Sequence, residues 1–357
     1  MRYPEYLKDG GTIGFIAPSF GCAIEPYKTR FENALKIFKE LGYSLNLGPN
    51  CYEGSGIGIS NTPEKCGEEL NAAMTGNDSD VIITCGGGEL MCEVVPYIDF
   101  EKIKNAQPKW YMGYSDNTNY TFLSNILADT AAIYGPCAPA FGREPWHESI
   151  ADALKLLKGE VEEVSGYEFW ENEEFEVEEG QEPDPLLSYN VTEKTVYRYF
   201  VPGHEDKIIS GNDFKDKVSL EGRLIGGCVD ILTTLIGTKY DKVDEFVERY
   251  KNDGFIWFLE CCDLDTLSMR RQFWQMREAG WFKYVKGFLI GRPRRFGEDA
   301  FGVDQYNAVT DTLGRLGVPI IMDLDIGHKP PMMPIISGSY TKVDSMGNSI
   351  RIKYEYI

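Results

Sequence analysis

Ser115 lies in the hexapeptide Gly113-Tyr114-Ser115-Asp116-Asn117-Thr118, which separates an apolar run from a stretch with helical spacing. At such a strand-to-helix turn, a serine hydroxyl is lifted out of the sheet toward a ligand, as in the nucleophile elbow G-x-S-x-G. Only half of that pattern is met, because Gly113 is present but Asn117 replaces the second glycine. The hexapeptide therefore predicts either a nucleophile or a serine that caps the following helix.

The run Gly86-Gly87-Gly88 also follows an apolar segment. Glycine lets backbone amides converge on a substrate oxygen without obstruction by side chains. An oxyanion hole needs two aimed donors, which an amide of this run and the amide of Asp116 would provide. The run can equally be a tight turn. Neither G-x-G-x-x-G nor G-x-x-x-x-G-K occurs in the chain, so a dinucleotide site and a P-loop have no support.

A serine hydroxyl is a weak nucleophile, so a hydrolase must also offer a base that a carboxylate orients. Histidine occurs at His147, His204 and His328, and the first two lie in polar segments. His328 ends an apolar run that Lys329-Pro330-Pro331 cannot extend, and Glu260 ends another apolar run. Taken alone, a glutamate at the end of a strand or a histidine in a turn more often has a structural role. Together, Ser115, Glu260 and His328 have the chain order serine, acid, histidine, and all three follow predicted strands.

The segments before the serine have the pattern of strands that alternate with helices. Residues 11–18 form a short apolar run bounded by glycine and proline, and residues 28–41 then have helical spacing. A strand pattern recurs at 81–85 and at 109–114. We therefore expect an N-terminal α/β domain with a parallel sheet. Ligands bind beyond the carboxyl ends of such strands, where Ser115 would lie.

The second half of the chain predicts a mixed α/β or α+β domain. A buried helix is expected in the segment that begins at Ser219, because the apolar residues between Leu224 and Leu235 suit one and two glycines would permit close packing. The other expected elements are strands at 254–260, 286–292 and 318–328, helices at 266–279 and after Asp304, and a hairpin around Met346-Gly347-Asn348.

At 357 residues the chain exceeds the usual span of one hydrophobic core, so we expect two domains with a catalytic cleft between them. The clearest change in composition is the segment 159–193, which has no lysine or arginine and many acids, as in a solvated linker. The predicted division is an N-terminal domain at 1–158 with the nucleophile, an acidic inter-domain loop at 159–218, and a C-terminal domain at 219–357 with the glutamate and histidine.

The composition excludes several classes of protein. With 56 acidic and 36 basic residues the formal charge is -20, which argues against a nucleic acid polymer as a partner. Nine scattered cysteines without a C-x-x-C pair predict neither a disulfide framework nor a zinc site, and Cys85 and Cys261-Cys262 are expected to pack. No signal-peptide core or membrane-spanning run is present, so we expect a cytoplasmic protein without a membrane partner.

Six ordered boxes of this sequence resemble the LD-carboxypeptidases and the related microcin C immunity carboxypeptidases, a family of serine peptidases. The resemblance covers nearly the whole chain. The boxes are Gly14-Phe15-Ile16-Ala17-Pro18-Ser19, the run Gly86-Gly87-Gly88 leading to Pro96-Tyr97-Ile98-Asp99, Gly113 to Thr118, Glu221-Gly222-Arg223-Leu224-Ile225-Gly226-Gly227, Leu259-Glu260, and Gly327-His328.

The resemblance implies Ser115 as nucleophile, His328 as general base and then acid, and Glu260 as the group that orients the imidazole. It also implies that an amide near Gly87 or Gly88, with that of Asp116, forms the oxyanion hole. The family's enzymes use no metal or other cofactor and are commonly homodimers, with an N-terminal α/β domain joined by a loop to a C-terminal domain.

The resemblance leaves two branches open, which differ in their peptide-derived or small-molecule substrates. One releases D-alanine from murein tetrapeptides, and the other cleaves an amide that joins a peptide or amino acid to a modified nucleotide. The long insert at 160–215 and the residue sequence Tyr114-Ser115-Asp116-Asn117-Thr118 favour the second branch. Its inter-domain loop stacks an aromatic ring on the nucleobase, for which Trp170 is the candidate, although a core-packing role suits it equally.

Further candidate substrate contacts are Glu89, Asn117 and Arg292. A carboxypeptidase needs a cation for the substrate carboxylate, and Arg292 or Arg294, just past a predicted strand, could provide it or could be surface charges. An alternative of another class is a two-domain binding protein that closes on a small molecule without chemistry, in which Ser115 would be a ligand contact.

Overall fold

The structure is a computed structural model, which describes residues 1–54, 59–175, 184–204 and 207–357. It divides into two compact units. The first contains residues 1–161 and 173–190, and the second contains residues 162–172 and 191–357. Among the described residues, no helix has both the length and the apolar character needed to cross a membrane.

The first unit is built on parallel strands with helices between them. Its strands are β1 (Thr12–Ile16), β2 (Ser44–Leu47), β3 (Val81–Thr84), β4 (Tyr111–Gly113) and β5 (Ala132–Tyr134), which pair in the order β5-β4-β3-β1-β2. Its helices are α1 (Tyr27–Glu40), α2 (Pro63–Thr75), α3 (Phe100–Asn105), α4 (Thr118–Ala128) and α5 (Glu148–Lys158). This arrangement confirms the predicted parallel α/β sheet.

Aromatic side chains join the sheet of the first unit to its first helix. Phe15 of β1 is fully buried, and its ring lies 5.5 Å from that of Phe31 and 5.8 Å from that of Phe38, both on α1. Burial of rings of this size contributes on the order of 2 kcal/mol each. The apolar spacing of α1 therefore positions the helix on the strand, as the sequence predicts.

The second unit begins with short strands and then alternates strands with helices. Its elements are β6 (Glu163–Ser165), β7 (Phe169–Trp170), β8 (Glu193–Lys194), β9 (Arg198–Phe200), β10 (Ile209–Ser210), β11 (Val218–Cys228), α6 (Val229–Leu235), α7 (Val243–Arg249), β12 (Phe255–Glu260), α8 (Thr266–Glu278), β13 (Val285–Gly291), β14 (Asp299–Ala300), β15 (Val303–Asp304), α9 (Gln305–Leu313), β16 (Ile320–Leu324), β17 (Ile335–Ser337), β18 (Tyr340–Met346) and β19 (Ser349–Glu355).

The main sheet of the second unit is mixed, with strand order β10-β9-β16-β13-β12-β11-β18-β19-β6. Strands β11, β12, β13 and β16 are parallel, and the pairs toward both edges are antiparallel. The carboxyl ends of the parallel strands therefore meet at one edge, where Glu260 ends β12. The predicted hairpin is confirmed as β18 and β19, with Gly347 in its turn at a φ of 62°.

The helix predicted after Ser219 is wrong for its first half. Residues Val218–Cys228 form strand β11, and the helix α6 begins only at Val229. Gly226 has a φ of 151°, and a Cβ atom there would lie 1.7 Å from the carbonyl oxygen of Phe258 in the neighbouring strand. The glycine therefore permits close approach of two strands, and the apolar run reads as a strand buried on both faces.

The acidic segment is divided between the two units, which differs from the single inter-domain loop expected at 159–218. Residues 176–183 and 205–206 of that segment lie outside the described residues. Burial of aromatic rings explains why much of the remainder folds, since it removes apolar surface from water despite the local charge. The buried rings are Tyr167, Trp170, Tyr197 and Tyr199.

Candidate active site

Ser115 lies at a sharp turn between a strand and a helix of the first unit. Strand β4 ends at Gly113, and a 3-10 turn over Ser115–Asn117 leads into α4. Ser115 has a φ of 62°, in the left-handed region that non-glycine residues rarely adopt. The N-cap positions are Tyr114 for the 3-10 turn and Asn117 for α4, so Ser115 is the cap residue of neither. The helix-cap alternative is therefore wrong, and the strained serine has the geometry of a functional turn.

Gly113 and Asn117 make this turn possible. A Cβ atom on Gly113 would lie 2.5 Å from Thr84 Oγ1 and 2.9 Å from Asn117 Cγ, so only glycine fits. Asn117 is fully buried, and its amide nitrogen donates to the carbonyl oxygens of Gly86 at 2.8 Å and Tyr114 at 3.1 Å. These contacts link the glycine run to the serine turn. They favour a positioning role for Asn117 over the predicted substrate contact.

The glycine run passes directly beside the serine side chain. A Cβ atom added to Gly87 would lie 3.1 Å from Ser115 Oγ, and Gly88 has a φ of 144°. The carbonyl oxygen of Gly87 accepts a hydrogen bond from the Phe20 amide at 2.7 Å, which fixes the orientation of this peptide. Glu89, which follows the glycine run, is exposed. The backbone of the run therefore passes close to the serine hydroxyl, which is the position that the predicted oxyanion hole needs.

Asp116 is buried beside the serine and binds groups from three segments. Its carboxylate accepts hydrogen bonds from the Ser19 hydroxyl at 2.5 Å, the Met91 amide at 2.8 Å and Asn119 Nδ2 at 3.0 Å. Burial raises the pKa of Asp116 to about 6. The sequence predicted a role only for the backbone amide of Asp116. Its side chain additionally anchors the segment that follows the glycine run to the serine turn.

Glu260 and His328 form a hydrogen-bonded pair in the second unit. Glu260, the last residue of β12, is fully buried, and its Oε2 lies 2.8 Å from His328 Nδ1. Gly327 has a φ of 102°, and a Cβ atom there would lie 2.5 Å from Glu260 Oε2. Glycine before the histidine therefore lets the loop cross over the carboxylate. The pair has the base-and-orienting-acid geometry that the chain order predicts.

The environment of His328 favours its charged form. Burial opposes that charge, but the Glu260 carboxylate and a hydrogen bond with the Cys262 thiol outweigh burial and raise the pKa of His328 to about 10. With Nδ1 held by the carboxylate, Nε2 is the ring atom that can exchange a proton with a nucleophile. Cys262 was expected only to pack, and its contact with the imidazole had no signal in the sequence. Cys85 and Cys261 are buried, as expected.

The raised pKa of His328 predicts an alkaline activity profile. As the general base that the resemblance implies, His328 must be neutral, so kcat/KM should rise with pH well above the 6.5 that is ordinary for imidazole, toward about 10. Glu260→Gln removes the carboxylate that stabilises the imidazolium, so the rising limb should move to lower pH. The measurement is kcat/KM against pH for both proteins. A limb at the same pH in both would contradict the assigned cause.

Arg292 and Trp170 occur together in a buried cluster of the second unit. The Arg292 guanidinium is 1% exposed, forms an ion pair with Asp325, and donates to Thr195 Oγ1 at 3.1 Å. It also lies 4.8 Å from the centre of the Trp170 ring. Trp170 is 6% exposed and also contacts Phe296. These contacts favour the packing role left open for Trp170 and a structural role for Arg292.

The structure thus groups the predicted residues by unit. Ser115, Asp116, Asn117 and the glycine run are neighbours in the first unit, and Glu260 contacts His328 in the second. Asp325, the ion-pair partner of Arg292, is not among the predicted residues, although an acid after an apolar run is also the signal that identifies Glu260. Within the described ranges, no cluster of three or more His, Cys, Asp or Glu side chains is arranged to hold a metal ion.

Known proteins resemble this chain along almost its whole length. Microcin C7 self-immunity protein MccF of Escherichia coli is 26% identical, over 98% of this chain and 95% of its own length. The probable murein peptide carboxypeptidase of Bacillus subtilis strain 168 is 23% identical, over 94% of this chain and 89% of its own length. A solved structure of MccF in complex with aspartyl sulfamoyl adenosine shares the fold, with a TM-score of 0.76, 21% identity and 99% coverage of both chains.

Two family profiles match separate parts of the chain. One is described as the LD-carboxypeptidase N-terminal domain and matches residues 13–135, and the other as the LD-carboxypeptidase C-terminal domain and matches residues 221–343. Ser115 lies in the first range, and Glu260 and His328 lie in the second. The resemblance inferred from the six boxes is confirmed, and the chain belongs to the LD-carboxypeptidase family S66 of serine-type peptidases.

Proposed function

We propose that this chain hydrolyses an amide bond through a covalent acyl-enzyme on Ser115. The observation that carries this proposal is the left-handed φ of Ser115, 62°, beside the glycine run, because a strained non-glycine turn persists where function needs it. The hydrogen bond between Glu260 and His328 supports the same reaction, since it supplies an oriented base.

In the first half of the reaction, Ser115 Oγ attacks the scissile carbonyl carbon while His328 Nε2 accepts the hydroxyl proton. Glu260 keeps Nδ1 protonated and stabilises the imidazolium that forms. The negative charge that develops on the carbonyl oxygen is held by an amide of Gly87 or Gly88 and that of Asp116. The tetrahedral intermediate then expels the amine, which takes the proton from His328, and leaves an acyl ester on the serine.

In the second half, a water molecule attacks the ester as His328 Nε2 accepts its proton. The second tetrahedral intermediate expels Ser115 Oγ, which recovers a proton from the imidazolium and releases the carboxylic acid. The net reaction adds one water across one amide bond. It therefore requires no redox partner.

For the substrate, we propose conjugates in which an amino acid or peptide is joined by an amide to a modified nucleotide. The insert at 160–215 and the residue sequence around Ser115 support this branch. The similarity to MccF, a self-immunity protein whose solved structure contains aspartyl sulfamoyl adenosine, supports it as well. The second candidate is release of D-alanine from murein tetrapeptides, which the similarity to a probable murein peptide carboxypeptidase supports. A homodimer and a cytoplasmic location are further parts of the proposal.

A parallel assay separates the two substrate classes. The protein is incubated with a murein tetrapeptide and, separately, with aspartyl sulfamoyl adenosine, and products are identified by mass spectrometry. We expect cleavage of the sulfamoyl conjugate at a kcat/KM at least about 100-fold higher than that for the tetrapeptide, which corresponds to about 2.7 kcal/mol in transition-state binding. Release of D-alanine alone would overturn the nucleotide-conjugate branch and leave the hydrolase mechanism intact.

A further inference from the structure

The loop that follows strand β13 carries a second arginine whose surroundings differ from those of Arg292. The Arg294 amide donates to the carbonyl oxygen of Cys261 at 3.0 Å, which fixes this loop beside the segment after Glu260. Arg294 Nη1 lies 3.7 Å from Cys262 Sγ. Cys262 follows Glu260 by two residues, and Glu260 Oε2 lies 2.8 Å from His328 Nδ1, so the guanidinium lies against the segment that follows the orienting carboxylate.

The segment that supports this guanidinium is itself held in place. The carboxylate of Asp230 accepts hydrogen bonds from the amides of Cys262 at 3.0 Å and Asp263 at 2.9 Å. Two backbone donors bound to one carboxylate restrict the loop between β12 and α8. The backbone at Arg294 is therefore bound to a segment that Asp230 holds from the other side.

The ion pair of Arg294 is exposed to solvent, unlike that of Arg292. Arg292 is buried against Asp325, whereas the Arg294 side chain is 60% exposed and pairs with Asp263, 64% exposed, at 3.3 Å. Solvent-exposed ion pairs contribute little, and an incoming carboxylate can replace Asp263 at small cost. The guanidinium fork matches a carboxylate with two parallel hydrogen bonds, which an ammonium cannot provide.

We propose that Arg294 binds a carboxylate of the substrate next to the scissile amide and thereby determines specificity. The inference rests on the proposed hydrolase function and deepens it by naming the chemistry of the substrate. The carboxylate is either the C-terminal carboxylate of a peptide or the acidic side chain of an aminoacyl group. In a protein with a formal charge of -20, a cation on the segment that follows Glu260 also attracts an anionic substrate that the remaining surface repels.

Matched substrates and variants test this role. One pair is a murein tetrapeptide with a free or an amidated C-terminus, and the other is aspartyl or asparaginyl sulfamoyl adenosine. The variants are Arg294→Gln, the conservative Arg294→Lys, and the control Arg295→Gln. Arg295 is the adjacent exposed arginine and pairs with Glu298 at 2.7 Å.

The relevant substrate pair is the one that the enzyme cleaves. For the probe of that pair with a free carboxylate, Arg294→Gln should lower kcat/KM by roughly 10- to 100-fold, as expected for loss of a charged hydrogen bond. The loss should lie mainly in KM, and the neutral member should change less than about threefold. Arg294→Lys should recover part of the loss, and Arg295→Gln should behave as wild type. Equal losses for both members, or equal behaviour of the two glutamine variants, would overturn the proposal.

Binding in the Ser115→Ala background separates this inference from the hydrolase mechanism. In calorimetry with the four probes, the probe with a free carboxylate should bind more tightly than its amide counterpart. Adding Arg294→Gln to the Ser115→Ala protein should abolish this difference in affinity. If wild-type protein cleaves none of the probes but this dependence on Arg294 appears, the hydrolase proposal fails and the carboxylate site stands. If no probe pair shows a difference that depends on Arg294, the carboxylate site fails.

Discussion

Ser115→Ala should lower kcat by roughly 10⁴- to 10⁶-fold, because the substitution removes the only atom proposed to bond to the substrate carbonyl. The residual rate would come from the oxyanion donors and from substrate binding. The turn itself should persist, since alanine keeps the Cβ atom and the contacts of Gly113 and Asn117 remain. The free energy of unfolding should therefore change by less than about 1 kcal/mol.

Single-turnover and steady-state assays on the preferred substrate measure this effect, and thermal unfolding controls for the fold. Ser44→Ala is the matched control, because Ser44 is an exposed serine at the start of β2 in the same unit. We expect wild-type turnover from it. Turnover within about tenfold of wild type in Ser115→Ala would mean that the serine is a ligand contact, as in a binding protein, or that another nucleophile acts.

Glu260→Gln should lower kcat by roughly 10³- to 10⁴-fold. Glutamine preserves the shape of the side chain, but its amide can donate to Nδ1 and so favour the tautomer in which Nε2 carries the proton. That histidine cannot accept the serine proton, and the imidazolium loses its counter-charge. Because Glu260 is fully buried beneath Gly327 and His328, these two effects are the main consequence of an isosteric change.

The control for this variant is Glu355→Gln. Glu355 also ends a strand and pairs with a cation, Lys342, but it lies on β19 away from the histidine. Its turnover should match wild type. A nuclear magnetic resonance titration of His328 should further show a lower pKa in Glu260→Gln. Unchanged turnover in Glu260→Gln would remove the orienting carboxylate from the mechanism.

The parts of the fold that the sequence predicts best are those with one clear periodicity. The apolar stripe of α1 and the alternation in β18 and β19 each bury one face, so each pattern identifies its element. The sequence predicts a helix where β11 lies because this strand alternates only over residues 218–221 and is fully buried from Gly222 to Cys228. Its pairing with β12 over six residues is a long-range fact that no local pattern contains.

The residues of the site also differ in how well the sequence predicts them. Ser115, Glu260 and His328 could be predicted because each ends a recognisable apolar run and the chemistry of a hydrolase links the three. The environments of Arg292 and Arg294 could not, since two residues separated by one proline have opposite burial that depends on Asp325 and Asp263. Sequence shows that a cation is present at such a position. Only the packing shows that Arg292 is buried against Asp325, whereas Arg294 forms an exposed ion pair with Asp263.

The most direct test of the mechanism is labelling with a fluorophosphonate, followed by peptide mass spectrometry. We predict a single adduct on Ser115 in the wild-type protein, a labelling rate reduced at least about 100-fold in His328→Ala, and an unchanged rate in the control His204→Ala. An adduct on another residue, no adduct on Ser115, or a rate that does not depend on His328 would contradict a serine nucleophile activated by the Glu260–His328 pair.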